Sequence, residues 1–154
     1  MIGQELRDFI DAALDDGRLG AQDVARLVAE VLPHGVRSRA EADALAALDR
    51  LVSDRPAAWD DVFVDLLVTF VVSVAAAAGE VDRETANWLM TTLDAGGVTD
   101  NGLRVVIEVS RSVPQVDQTL MSFVLHSMQA RREVVAAPAA AARAPAGADA
   151  LVAA

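Results

Sequence analysis

The stretch Trp59-Asp-Asp-Val-Phe-Val-Asp-Leu-Leu-Val-Thr-Phe-Val-Val-Ser-Val-Ala-Ala-Ala-Ala78 decides the fold of this chain. Four of its polar residues recur at every fourth position: Asp61, Asp65, Thr69 and Ser73. The residues between them are apolar. Because about four residues make one turn of an α-helix, this spacing predicts a helix that is buried on all sides except one narrow polar stripe.

The length of the apolar run also raises the question of a membrane span. The 17 residues from Val62 to Ala78 are mostly apolar, close to the lower limit of about 20 residues for a span. Asp65 would then lie inside the bilayer at a cost of a few kcal/mol. No basic residue flanks the run closely. The sequence therefore favours the central helix of a soluble bundle over a membrane span.

Composition restricts the class of protein further. The chain has 154 residues, 53% of them hydrophobic, which predicts one globular domain. Its net charge of −10 argues against a nucleic-acid partner, whose phosphates are also negative. The absence of cysteine excludes disulfides and thiolate metal sites. The N-terminus lacks the basic start and apolar core of a signal peptide, so we expect a cytoplasmic protein. We expect no cofactor.

Helical spacing and helix-end signals predict about seven helices, with the stretch 59–78 as the central one, and thus an all-α fold of two similar helical halves packed around it. The first two predicted helices run from Gln4 to Leu14 and from Ala21 to Leu32. Later helices are predicted to begin at the Ser38–Glu41 capping box, at Asp82, at Thr99 or Asp100, and at Pro114 as a first-turn residue. The expected inward faces include Leu45, Leu48, Leu51 and Val52 in the third helix, and Val116, Leu120, Phe123, Val124 and Met128 in the last. Residues 1–135 then form one helical domain, and we predict that the Ala/Pro-rich residues 136–154 are a disordered tail.

A constant offset between glycines suggests an internal duplication. The offset that separates Gly17 from Gly79 also separates Gly35 from Gly97, without a gap. We call it the repeat offset. Each half then reads as helix, glycine turn, helix, glycine turn, helix. We predict that residues 5–52 superpose on 67–114. The alternative is that glycine marks the turns of any helical chain.

The first glycine turn carries most of the acidic candidates for an ion site. It resembles the second half of an EF-hand loop, with Gly17 at the sixth place and Asp23 at the twelfth. The first and third places are Ala12 and Leu14, which have no side-chain oxygen. A calcium site within this single loop is therefore not expected.

The glycine turns also carry a family resemblance. Asp15-Asp16-Gly17-Arg-Leu-Gly-Ala-Gln-Asp23 and Ala78-Gly79-Glu-Val-Asp-Arg-Glu84 resemble the Asp-Gly-x-Val-x-x-x-Glu turns of TerB-like domains, the tellurite-resistance type. The resemblance covers about residues 4–130 and extends to small, uncharacterised alphaproteobacterial helical proteins. It implies an all-helical fold with a repeated core and acidic turn residues around a metal ion. The metal candidates that match are Asp15, Asp16 and Asp23, whereas His34, Ala78 and Gly96 replace the acid elsewhere.

No pattern points to catalysis. His34 lies in a turn and His126 in the last helix, and neither is placed beside a serine nucleophile. Acids at the start of the central helix are explained by the positive end of the helix dipole. We predict a non-enzymatic, cytoplasmic protein-interaction or adaptor module. Two alternatives stay open: a TerB-like metal- or stress-response-linked protein that binds an ion through acidic turns, and an enzyme with an acidic site that the sequence does not reveal.

The expected partner is another protein or a second copy of the chain. The segment Ala148-Asp-Ala-Leu-Val-Ala-Ala154 is apolar again after the Ala/Pro-rich spacer, so it is a candidate docking peptide. Compositional drift is the other explanation of this segment.

Overall fold

A computed structural model describes residues 2–134, which form seven helices and no strand. The predicted tail, residues 136–154, and its docking segment lie outside these residues. The helices are α1 (Gln4–Asp16), α2 (Ala21–Arg26, continued by a π-helical turn, Leu27–Val31), α3 (Arg39–Leu51), α4 (Ala57–Ala78), α5 (Arg83–Asp94), α6 (Asp100–Ser112) and α7 (118–134). The predicted all-α fold is confirmed.

The helix ends follow local signals in the sequence. Ser38, Asp82 and Thr99 each cap a helix by accepting a backbone N–H, as their sequence positions predict. Gly17 and Gly79 follow α1 and α4 with φ of 69° and 81°, in the left-handed conformation that side chains with a Cβ disfavour.

The helix boundaries recur at the repeat offset. The ends of α1 and α4 are separated by this offset, and so are the starts of α2 and α5. A similar turn closure recurs: the N–H of Leu19 donates to the carbonyl of Asp54 over 2.9 Å, and that of Val81, at the repeat offset, to the carbonyl of Gln115 over 3.0 Å. The second acceptor lies one residue before the position that the offset gives. These recurrences are what the duplication predicts, whereas the superposition of the halves and their common origin stay predictions.

The central helix α4 is only partly enclosed. Trp59, Phe63, Leu67 and Phe70 are buried, and the polar stripe Asp61, Asp65, Thr69 and Ser73 is largely exposed, as predicted. Burial on all other sides was wrong for the C-terminal end, where Val74 and residues 76–78 are exposed. α4 packs mainly against α6, and its 22 residues span about 33 Å, against about 20 Å for the 13 residues of α6. One end of α4 therefore extends beyond its main neighbour.

The last helix, α7, begins later than the sequence predicted. Pro114 is not a first-turn residue, because α7 begins at 118 and Asp117 caps it by accepting the N–H of Thr119 over 2.9 Å. The N–H of Val81 donates to Gln115, and its carbonyl accepts from Asp117, each over 3.0 Å. This pairing with the α4–α5 turn keeps the segment before α7 extended.

The buried face of α7 is also rotated from the one expected. Leu120, Val124 and Ser127 are buried, whereas Met128 is exposed. Positions 120, 124 and 127 lie one helical turn apart and form one face, so Met128 falls outside it.

By length and composition, α4 is the one helix within residues 2–134 that could cross a membrane. An 18-residue window of it has a mean hydropathy of 2.1. The core helix of a soluble domain meets the same criterion, and α4 packs Trp59, Phe63 and Leu67 into the core. The location of the protein therefore stays a prediction.

Candidate binding grooves and a buried polar cluster

The acidic residues of the first glycine turn are only partly brought together. Asp23 accepts the N–H of Gly20 over 2.8 Å and thereby caps α2. Asp16 and Asp23 line a depression of about 30 Å³ with Arg18 and other residues, and exposed Asp15 is not part of its wall. Within residues 2–134, no group of three or more His, Asp or Glu is arranged to hold a metal ion. An ion at this turn is the alternative that the TerB-like resemblance implies, and a melting experiment tests it.

A buried carboxylate that was not predicted from the sequence joins three helices. Asp49, at the end of α3, accepts hydrogen bonds from Trp59 Nε1 over 2.9 Å and from Asn101 Nδ2 over 2.8 Å. Its other oxygen accepts the hydroxyl of Thr99 over 2.7 Å. Arg55 Nη1 lies 3.0 Å from the same carboxylate. The cluster therefore ties α3 to the starts of α4 and α6.

The burial of Asp49 corrects the predicted inner face of α3. Asp49 is 3% exposed, whereas Leu51, which we expected to face inward, is 66% exposed. Leu45, Asp49 and Val52 are one turn apart on the buried side, and Leu51 lies across the helix from it. The sequence signal that could have revealed this cluster is an acid, Asp49, at an inward position of α3, ahead of Trp59. Within residues 2–134, every buried side-chain nitrogen and oxygen has a hydrogen-bond partner, so the cluster has a structural role.

A groove of about 430 Å³, here called the first groove, lies between the turn after α2 and the polar stripe of α4. It is lined by Val28, Leu32, Pro33, His34, Gly35, Val36, Asp65, Leu66, Thr69, Phe70 and Ser73. The walls are mainly apolar, and Asp65 is the one acid in them. Ser73 donates its hydroxyl to the carbonyl of Phe70 over 2.7 Å. Asp65 has no ion-pair partner within residues 2–134.

A second groove, of about 590 Å³, lies between the turn after α5 and helix α7. It is lined by Asp94, Gly97, Val98, Phe123, His126, Ser127, Ala130, Arg131 and Val134. Several of its positions correspond to positions of the first groove at the repeat offset: Leu32 and Asp94, Gly35 and Gly97, Val36 and Val98, Asp65 and Ser127, Thr69 and Arg131. The two grooves are therefore of the same kind, at corresponding positions of the chain, and carry different side chains.

The difference between the grooves is chemical. In the second groove, Arg131 donates to the carbonyl of Val98 over 3.0 Å and forms an ion pair with Asp100. At the corresponding position the first groove has Thr69, which is too short to reach across in the same way. One groove therefore contains its own guanidinium, and the other has a carboxylate that no cation of residues 2–134 pairs with.

The outward side of α7 carries an exposed apolar row. Met121, Leu125 and Met128 are 44%, 67% and 39% exposed, and they follow one another by four and three residues. We call them the α7 stripe. Residues 118–130 contain no acidic residue and no arginine, although the chain as a whole has a net charge of −10. An uncharged apolar row on an acidic protein is typical of a contact surface.

Two capping carboxylates have lowered pKa values. The backbone N–H of Thr85, followed by its hydroxyl, lowers the pKa of Asp82 from its ordinary 3.8. The hydroxyl of Thr119, followed by its backbone N–H, lowers the pKa of Asp117 in the same way. In both cases hydrogen bonds favour the charged form. These carboxylates hold the starts of α5 and α7.

Comparison with known proteins gives no relative of this chain. It matches no protein-family model, no curated protein and no solved structure. The resemblance to TerB-like domains is therefore neither supported nor opposed by these comparisons, and the function has to be argued from the surfaces themselves.

Proposed function

We propose that this protein is a non-enzymatic protein-interaction module that binds a protein partner through the α7 stripe. The observation that carries the proposal is the exposure of Met121, Leu125 and Met128 as one row. Completing the burial of an apolar side chain that is half exposed contributes roughly 1 kcal/mol. Three such side chains in one row can anchor a partner helix, as helix-in-groove contacts do.

Charge supports the same proposal. The net charge of −10 keeps the chain in solution and repels nonspecific contacts with other acidic proteins. The uncharged stretch 118–130 is free of that repulsion. A composition without cysteine is consistent with a partner in the cytoplasm, where we place the interaction.

A pair of charge-matched variants tests the proposal. Leu125→Glu puts a carboxylate into the middle of the stripe, whereas Ser122→Glu adds the same charge to an exposed position about 60° around the helix. Proteins captured from the native cell are identified by mass spectrometry for both variants and for the parent chain, and each oligomeric state is measured by sedimentation.

We expect Leu125→Glu to lose a partner or self-association that the parent chain and Ser122→Glu both retain, with unchanged melting temperatures. If the parent chain is a monomer without a specific partner, or if Leu125→Glu keeps every contact, the proposed function is wrong.

A further inference from the structure

We propose that the first groove binds a segment of a partner protein that inserts an arginine between apolar side chains, with the guanidinium paired to Asp65. The second groove shows that a guanidinium fits against this kind of wall, although its carboxylate partner there, Asp100, corresponds at the repeat offset to Ser38 and not to Asp65. There, Arg131 of the chain itself donates to Val98 in the groove wall and pairs with Asp100. The first groove has the corresponding valine, Val36, but Thr69 in place of the arginine. In the first groove the carboxylate stands at a different position, Asp65, and a cation from a partner would pair with it there.

The carboxylate of Asp65 is the group that recognises this cation. Asp61, one turn earlier on the same stripe, is paired with Arg104 over 3.2 Å. Asp65 has no such pair within residues 2–134, and it lies in the wall of the groove. An Arg–carboxylate contact next to apolar walls is stronger than one in open water, since charge-assisted hydrogen bonds gain from reduced screening. The net charge of −10 attracts a basic segment from a distance as well.

The apolar walls of the groove favour apolar residues next to the arginine in the partner segment. Leu32, Leu66 and Phe70 are buried side chains that line the groove, and Val28 is an exposed one. A volume of about 430 Å³ falls in the range that holds a few side chains of a ligand. Leucines next to the arginine would find apolar surface in this wall, at Val28 and Phe70 among others. A free amine or guanidine without apolar neighbours would gain little from these walls.

A peptide titration tests the inference. The probe is the blocked peptide acetyl-Ala-Leu-Arg-Leu-Ala-amide, added to the full-length, nitrogen-15-labelled chain and followed by amide chemical shifts. A matched peptide carries glutamine in place of arginine. We expect saturable shifts confined to residues 28–36 and 65–73, and about tenfold weaker binding of the glutamine peptide.

Three variants separate the groove contact from general charge attraction. Asp65→Asn should weaken binding of the arginine peptide about tenfold. Asp61→Asn makes the same chemical change outside the groove and should leave the affinity unchanged. Thr69→Arg installs the guanidinium of the second groove and should abolish binding, with shifts at Val36 that report the internal contact.

Several results would overturn the inference. They are the absence of saturable binding at millimolar peptide, equal binding of the glutamine peptide, an affinity that Asp65→Asn does not change, or shifts located on α7 instead of the groove. The first groove and the α7 stripe share no residue. The peptide titration can therefore fail while the α7 stripe still binds a partner, and the α7 stripe can fail to bind a partner while the groove still binds the peptide.

Discussion

Removal of the Asp49 carboxylate is the most informative perturbation of this fold. In Asp49→Ala, the indole N–H of Trp59 loses its acceptor, and Trp59 is fully buried. Asn101 keeps a second acceptor in Asp60, at 2.7 Å. Arg55 also keeps Asp60, 3.4 Å away, and its side chain is 19% exposed. The hydroxyl of Thr99 also loses its acceptor, but Thr99 is only partly buried. The loss of stability therefore arises mainly from the orphaned indole, with smaller contributions from this hydroxyl, the weakened ion pair and the new cavity.

The magnitude follows from these contacts. A buried donor left without an acceptor costs about 1–3 kcal/mol, and breaking a buried ion pair costs about 3–5 kcal/mol when nothing else compensates. Because Asp60 compensates in part, we expect about 3 kcal/mol for Asp49→Ala. In a chain of this size that loss lowers the melting temperature by roughly 6–12 °C.

Urea unfolding followed by tryptophan fluorescence and circular dichroism measures this loss. Asp61→Ala is the matched control, because it removes a carboxylate from an exposed ion pair with Arg104 and should leave the midpoint unchanged. Trp59→Phe removes the orphaned donor, so the double variant Asp49→Ala/Trp59→Phe should be less destabilised than the two single effects combined. A loss below about 1 kcal/mol for Asp49→Ala, or strict additivity in the cycle, would refute the reasoning.

Three further predictions concern the core, the first turn and the cap of α7. Leu67→Ala, at a side chain that is 1% exposed, should cost about 2–5 kcal/mol in urea unfolding; a change near zero would mean that α4 is not central. Millimolar calcium should leave the melting temperature unchanged, and a rise that Asp16→Asn or Asp23→Asn abolishes would establish an ion site. The pKa of Asp117 is lowered by Thr119, so its contribution to stability is present above the unfolded value of about 3.8 and is lost as the pH falls through the folded value. Asp117→Asn should therefore be less stable than the parent chain at neutral pH and converge with it under acid; a constant difference in melting temperature would contradict this assignment.

The helices and their ends could be derived from the sequence because their causes are local. Ser38, Asp82 and Thr99 cap helices wherever their neighbours allow the backbone N–H to reach the side-chain oxygen. Glycines 17, 35, 79 and 97 all have positive φ, the conformation that residues with a Cβ disfavour. The polar stripe of α4 follows from its recurrence at every fourth position. None of these features depends on what packs against the helix.

The faces, grooves and buried charge could not be derived in this way because their causes lie far along the chain. Asp49 is buried since Trp59, Thr99 and Asn101 bring donors to it from two other helices. α7 starts late because the backbone of Val81 pairs with the segment before it. The sequence by itself determined the number and order of the helices and most of their ends. Only the tertiary structure decided which side chains stay in water, since burial depends on the neighbour that each helix face meets.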